Sequence, residues 1–518
     1  MRTGAWLLLA SVLAPCYWVA WRTDAVGLFH DDGIYLITAR ALAEGRGYVI
    51  DSLPAAIPQT KYPVLFPALL AALWKLDGAF PGNLALLKAL PLLCGIMWLG
   101  LTWWLLRRWE VRGEIALGSV VLTGACGFVV FLSTSLLSET LFALCAAIAV
   151  GCFAEYERSS GGKWLAGAAA AALAAYHTRS IGVALLAAGL LMLLIRRRWK
   201  HAAVYAVGVL AGILPWMIWQ RSQKVADAYL SSANYYADYN ILFNFAGLEK
   251  LRIAAWNLLL LPASAGTLTG IAELAWLGFP LLFLVLRGWR RAMRGKNGFL
   301  AIELFLGLTL AIVVVWAWVP GRFLAPLLPW IAWLAWEGWP ERWKRWAGVL
   351  AFVVAGWMIA GNWRSTVRAA ETAAWIPWDW NARAGSEYWT AMRAQAAWLR
   401  ANVQPGEVVA GNLDPTLHLL SGMKCVRASG KNAQLGFYLG IVEPLGGVEE
   451  FRKLQVRRGV RYLVLANWPW FPETLHLEKL VGAWRAKYPG ELNLAEPEGA
   501  EGFGIFRVEV PAGAAYSQ

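Results

Sequence analysis

Apolar runs of bilayer-spanning length recur along roughly the first 360 residues of this chain, and no other feature limits its fold more. They fall at about 4–21, 83–106, 115–133, 137–154, 163–178, 180–195, 202–219, 269–286, 299–318, 323–336 and 347–363. Each approaches the ~20 residues that cross a hydrocarbon core as a helix. Composition agrees, with 59% of the 518 residues hydrophobic, 33 Trp and only 15% charged. The mean hydropathy is +0.48. The expected fold is a polytopic α-helical membrane protein with about eleven crossing helices.

Basic residues orient the expected bundle. The connections holding Arg107, Arg108 and Arg112, then Arg196, Arg197, Arg198 and Lys200, then Arg287, Arg290, Arg291, Arg294 and Lys296, then Arg342, Lys344 and Arg345 share one side with Arg2. By the positive-inside rule that side is the cytoplasm. The N-terminus is then cytoplasmic, and an odd number of crossings puts the C-terminal tail outside, in the periplasmic or extracellular space of an inner (cytoplasmic) membrane protein. The net charge of +14 is largely this bias. Scattered over membrane loops, it does not form the single basic face of a nucleic-acid binder. Trp103, Trp104, Trp316, Trp318, Trp330, Trp333, Trp336 and Trp339 cluster at run ends, as an interfacial belt requires.

Residues 1–21 resemble a signal peptide, and Leu13-Ala14-Pro15-Cys16 hints at a lipoprotein site, but Pro15 stands where a small residue is wanted. An uncleaved first helix is the simpler reading. Five of the six Cys (Cys16, Cys94, Cys126, Cys145, Cys152) lie in apolar runs and Cys425 stands alone, so neither a disulfide framework nor zinc spacing is present.

Two domains follow from composition: residues 1–363 as the membrane domain and 364–518 as an extracytoplasmic α/β domain. The loop over 22–82 predicts two short amphipathic helices along the membrane surface, at 33–44 and from Leu65 to Leu76. A second outer loop, about 220–268, carries Tyr229, Tyr235, Tyr236, Tyr239 and Phe243, which suit either a sugar or lipid site or plain interfacial anchoring. In the tail, 387–402 reads as a helix stopped by Pro405-Gly406, and 448–456 as another. Strand-like runs lie at 407–410, 424–427, 461–465 and 504–510.

Asp31 and Asp32, in His30-Asp31-Asp32-Gly33-Ile34-Tyr35, sit just beyond the first run. An Asp ahead of an amphipathic segment is a good helix N-cap, which alone would explain the pair. Their company argues for more. Lys61, Glu139, His177, Arg179 and Arg322 fall at other turns expected on the same face. Ionisable groups at a membrane edge mark a working site or a compensated pair. Carboxylates opposite Lys and Arg can bind a phosphate and move a proton.

The ordered set Asp31-Asp32-x-x-Tyr35, Gly47-Tyr48, Lys61-Tyr62-Pro63-Val64-Leu65, Ser138-Glu139, Thr178-Arg179 and Gly321-Arg322-Phe323-Leu324-Ala325-Pro326 resembles the motifs of the GT-C glycosyltransferases. The nearest branches are the protein O-mannosyltransferase-like and lipid A aminoarabinose transferase-like families, and the resemblance covers roughly residues 1–340. It implies a membrane glycosyltransferase that moves a hexosyl or pentosyl group from a polyprenyl-phosphate donor to a lipid, glycan or protein acceptor outside the membrane. It implies Asp31 as the catalytic residue, the base of an inverting direct displacement, with His30, Asp32, Tyr35, Glu139 and His177 shaping the acceptor pocket. Lys61, Arg179 and Arg322 would bind the donor phosphate. Two departures stand out: Val64 replaces the second Pro of Lys-x-Pro-Pro, and Thr60 stands where some relatives carry Glu. The second removes a possible ligand for a divalent metal, which leaves no cofactor certain. A transporter or lipid flippase, or a non-catalytic envelope scaffold, are the alternative classes; the charges gather at one face rather than at the midplane that transport requires.

Overall fold

The computed structural model describes residues 3–223, 247–267, 272–294, 300–316, 318–378, 381–428, 447–466, 472–496 and 503–509. The aromatic residues Tyr229, Tyr235, Tyr236, Tyr239 and Phe243 lie outside them. All eleven apolar runs are helical where described. Helix α1 is Thr3–Arg22, α2 Asp31–Ala43, α3 Leu65–Leu76 and α4 Leu84–Arg108. Then come α5 (Gly113–Ala125), α6 (Gly127–Thr134), α7 (Glu139–Ser159), α8 (Gly162–Thr178), α9 (Val183–Ile195) and α10 (Trp199–Ser222). The remainder of the bundle is α11 (Gly247–Thr267), α12 (Gly278–Arg294), α13 (Leu300–Val315), the single turn α14 (Gly321–Leu324), α15 (Leu328–Gly338) and α16 (Lys344–Thr372).

Among the described residues five helical stretches are long and apolar enough to span a membrane unaided: α1, α4, α7, α10 and Glu341–Thr372. The run expected at 115–133 is not one straight helix. It breaks at Cys126, and α5 and α6 meet at 71°, so the pair would make a sixth. α8, α9, α13 and α15 are shorter, 17, 13, 16 and 11 residues. At about 1.5 Å per residue they fall short of a ~30 Å core on their own.

The loop expected over 220–268 also differs. Its second half is α11, whose Asn257 amide donates to the carbonyls of Val313 and Val314 at the end of α13, both at 3.1 Å. Ser264 lies near Gly321. α11 therefore lies over the same end of the bundle as Arg322, and its apolar Leu258–Leu261 stretch explains why a helix forms there.

The first loop folds as the two expected helices, and most of α2 is buried. Ile34, Leu36, Ala39 and Ala41 are fully buried, as are Gly33 and Thr38. The C-terminal domain packs on α2 at Gly33, against Pro415, while Arg40 and Glu44 remain at the surface. Between α2 and α3, Val49–Ile50 and Ile57–Pro58 pair as strands β1 and β2.

α16 carries the chain past residue 363 without a break. α17 (Ala382–Asn402), β3 (Val408–Gly411), α18 (Asp414–Ser421), β4 (Lys424–Arg427), α19 (Gly447–Arg457), β5 (Val460–Ala466), α20 (Pro472–Lys487), β6 (Leu492–Glu496) and β7 (Phe503–Val508) follow. The sheet order is β4-β3-β5-β7-β6, with β4, β3 and β5 parallel and β7 and β6 antiparallel. All four expected strands form. β6 was not expected, because an edge strand carrying Asn493 and Glu496 lacks a continuous apolar signal.

Candidate active site

Turns that are far apart in sequence meet at one end of the bundle. Glu139 opens α7 after Ser138, Arg179 closes α8, Arg322 opens the turn before α15, and Asp31 opens α2. Arg322 is the hub. Its Nη1 donates to Asp31 Oδ2 at 2.6 Å and its Nε to Glu139 Oε1. Arg179 Nη1 donates to the same Glu139 oxygen at 2.6 Å and to Ser138 Oγ at 3.2 Å. The Tyr62 hydroxyl donates to Asp31 Oδ1. The Tyr35 hydroxyl lies 3.0 Å from Ser138 Oγ, and its ring packs 4.8 Å from that of Tyr62. Lys61 Nζ stands over the Tyr62 ring at 4.9 Å, and the Arg322 guanidinium over the Phe29 ring at 4.6 Å.

Among the described residues three cations, Lys61, Arg179 and Arg322, gather with two carboxylates, a setting in which a phosphate could join the network. Two buried polar atoms of the cluster, Glu139 Oε2 and Arg322 Nη2, have no hydrogen-bond partner among the described residues. Such atoms in a buried charged cluster suit a ligand or water. Asp31 retains 19% side-chain exposure against 2% for Glu139, so Asp31 is the carboxylate a substrate can reach. Burial would push its carboxyl up, but Arg322, Lys61 and the Tyr62 hydroxyl outweigh that and hold it well below the usual carboxylate range.

Asp32 points elsewhere, as neighbours about 100° apart on a helix must. Its oxygens accept from the backbone N–H groups of Gly27 at 2.6 Å and Phe29 at 3.0 Å. Neither Asp is the N-cap of α2; that position is His30. Burial pushes the Asp32 carboxyl up to about 6, against the pull of the two N–H groups. His30 also turns away from the cluster, with Nε2 3.6 Å from Asp414 Oδ1. Burial lowers its pKa, which the neighbouring Asp414 partly offsets. His177 faces α10 instead, its Nε2 2.9 Å from the Gly212 carbonyl. The structure therefore brings together Asp31, Tyr35, Lys61, Glu139, Arg179 and Arg322, and sets His30, Asp32 and His177 apart from them.

No family model matches the chain, and no curated protein matches it. Solved structures do. ArnT from Cupriavidus metallidurans bound to undecaprenyl phosphate aligns with a TM-score of 0.54 at 15% identity, over 98% of this chain and 98% of its own. The apo state of ArnT aligns at 0.52 and 16% identity, over 97% and 98%. The chain has the GT-C fold. Coverage this complete extends the shared architecture through the C-terminal α/β domain.

No group of three His, Cys, Asp or Glu side chains converges among the described residues, and the Arg322 guanidinium already stands between Asp31 and Glu139. Four contributors carried no role in the sequence reading. Gln59 Oε1 accepts from the N–H groups of Lys61 at 2.9 Å and Tyr62 at 3.2 Å, shaping the turn that presents both. Trp219 and Gln220, at the end of α10, donate to the carbonyls of Gln59 and Thr60 at 2.9 and 2.8 Å and moor that turn. Lys88, fully buried on α4, donates to the Thr23 carbonyl at 2.6 Å and interacts electrostatically with Asp32. A lone Lys inside an apolar run is itself a signal of this kind; Gln59 offered none.

Proposed function

We propose that this chain is a glycosyltransferase that takes a sugar from a polyprenyl-phosphate donor and transfers it to an acceptor hydroxyl at the outer face of the membrane. The observation that carries the reading is the cluster of Arg179, Arg322 and Lys61 around Asp31 and Glu139, in which Arg322 Nη2 and Glu139 Oε2 are buried without a hydrogen-bond partner among the described residues. The GT-C fold, shared with ArnT, whose structure is bound to undecaprenyl phosphate, supports the class of donor. The basic residues of the loops support an orientation with the cluster outside and the N-terminus inside.

In this reading the acceptor oxygen attacks C1 of the sugar while the C1–O bond to phosphate breaks. The polyprenyl phosphate leaves with the bonding pair, the anomeric centre inverts, and Asp31 takes the acceptor proton. Lys61, Arg179 and Arg322 stabilise the charge growing on the leaving phosphate, with Arg offering a two-point fork and Lys a point charge. Asp31 is a weak base while Arg322 and Tyr62 hold it. A phosphate that draws Arg322 toward itself relieves that hold, so Asp31 gains basicity when the donor is bound. The covalent carboxylate intermediate of retaining glycosidases is not needed.

The test is incubation of the purified protein in a bilayer with labelled polyprenyl-phosphate sugars and envelope lipids, glycans and proteins. The reading expects label on an acceptor and free polyprenyl phosphate. Movement of intact donor across the bilayer would mark a flippase, and neither outcome a scaffold.

A further inference from the structure

We propose that the C-terminal domain is part of the catalytic apparatus: the first turn of α18, through Asp414, Pro415 and Thr416, clamps the Gly27–Asp31 turn and so sets where Asp31 stands. The inference rests on the proposed role of Asp31 only for its effect on turnover.

The Thr416 hydroxyl, fully buried, donates to the Gly27 carbonyl at 2.7 Å. The same carbonyl accepts the N–H of His30 at 3.2 Å, closing a tight turn directly before Asp31. That turn holds unusual backbone: Gly27 has φ +78° and His30, not a glycine, φ +66°. Such a conformation persists only where surrounding contacts impose it. Here they come from two sides. Asp32 grips the N–H groups of Gly27 and Phe29 from α2, and α18 grips the other side, with Asp414 against the His30 ring at 3.6 Å.

The approach is close enough to exclude side-chain atoms. A Cβ on Gly27 would lie 2.3 Å from Thr416 Oγ1, and one on Gly33 2.7 Å from Pro415 Cβ. Place in the sheet reinforces the point. The β3–α18 connection lies at the carboxyl end of β3, where β4 and β5 flank it on opposite sides. Open α/β sheets take their ligands at that switch point. In this chain the loop leading into Asp31 is docked against it instead. Farther along, the Cys425 N–H donates to the Ser52 carbonyl at 2.9 Å and Lys424 to the Asp51 carbonyl, so β4 also holds the loop that leads to Lys61. Asp414 and Thr416 are positioning residues for Asp31.

The test uses the full chain in nanodiscs with Thr416→Val, Thr416→Ser and Asp414→Asn. The first readout is amide hydrogen exchange over residues 24–34 and needs no substrate. Thr416→Val should speed exchange there about 5–10-fold, the loss of one buried hydrogen bond, with α4 and α7 unchanged and Thr416→Ser like the parent. The second is transfer kinetics: kcat should fall up to about 10²-fold with donor KM held within about threefold, as for a displaced catalytic group. Asp414→Asn, with the same shape, should show both effects more weakly and carries the test should Thr416→Val unfold. Unchanged exchange over 24–34, or a loosened turn with parental kcat, overturns the clamp. Absence of turnover by the parent protein overturns the proposed function and leaves the exchange result to decide the clamp.

Discussion

Arg322 ties two carboxylates together in a setting where an unpaired charge is costly. Replacing it with Ala leaves Asp31 and Glu139 facing each other with less compensation. The expected loss is about 3–5 kcal/mol of stability, read as a lower melting temperature in detergent. Asp31→Asn keeps the shape but not the base, so transfer should fall by about 10²–10⁴-fold while donor binding persists; near-parental turnover would remove Asp31 from the role of base. The two adjacent acids also have opposite signatures in pH. Asp31 sits below its unfolded value, so its stabilisation is present above about pH 4 and is lost as pH falls further. Asp32, raised to about 6, is the reverse: the folded state holds its proton more tightly, and stability declines as pH rises from about 4 to about 6. Melting curves of Asp32→Asn across that window should lack this decline.

Helix termini carry the site, and here the sequence was most informative. Glu139, Arg179 and Arg322 lie at or near the ends of apolar runs and Asp31 opens the short helix after the first, so placing the runs also places these residues at turns. Side-chain direction was not legible. Whether His30 and Asp32 join the cluster depends on about 100° of helical rotation and on what lies behind α2, which is the C-terminal domain nearly four hundred residues later in the chain. The amphipathic reading of α2 was incomplete for the same reason: Gly33 packs against Pro415 of α18, while Arg40 and Glu44 stay at the surface. Gly33 reports that packing directly: Gly33→Ala would press on Pro415 and should cost about 1–3 kcal/mol, seen as a lower melting temperature, whereas an uncovered surface helix would gain from Ala. The bend at Cys126 was hidden as well, because length and hydropathy do not tell a broken helix from a straight crossing one.

At the scale of the whole molecule, charge is sorted along the bundle. The Asp31 end gathers the buried network, and the opposite end carries more exposed pairs such as Arg108 with Glu155 and Arg196 with Glu157. Membrane-impermeant thiol labelling of single-cysteine variants should modify a cysteine at position 77 and spare one at position 112, the result the basic loops predict. The fold class was readable from runs and ordered motifs because both are local. The convergence of five turns is a tertiary fact that only suggested itself through their shared side. The proposed transfer depends on that convergence forming a seat for a lipid-linked phosphate. The most direct measurement is equilibrium binding of undecaprenyl phosphate to the parent chain and to Lys61→Ala, Arg179→Ala and Asp31→Asn. The account predicts saturable binding that weakens tenfold or more, about 1.4 kcal/mol, on loss of either cation and survives loss of the Asp31 charge. Equal binding by the parent and the doubly substituted Lys61→Ala, Arg179→Ala chain would contradict it.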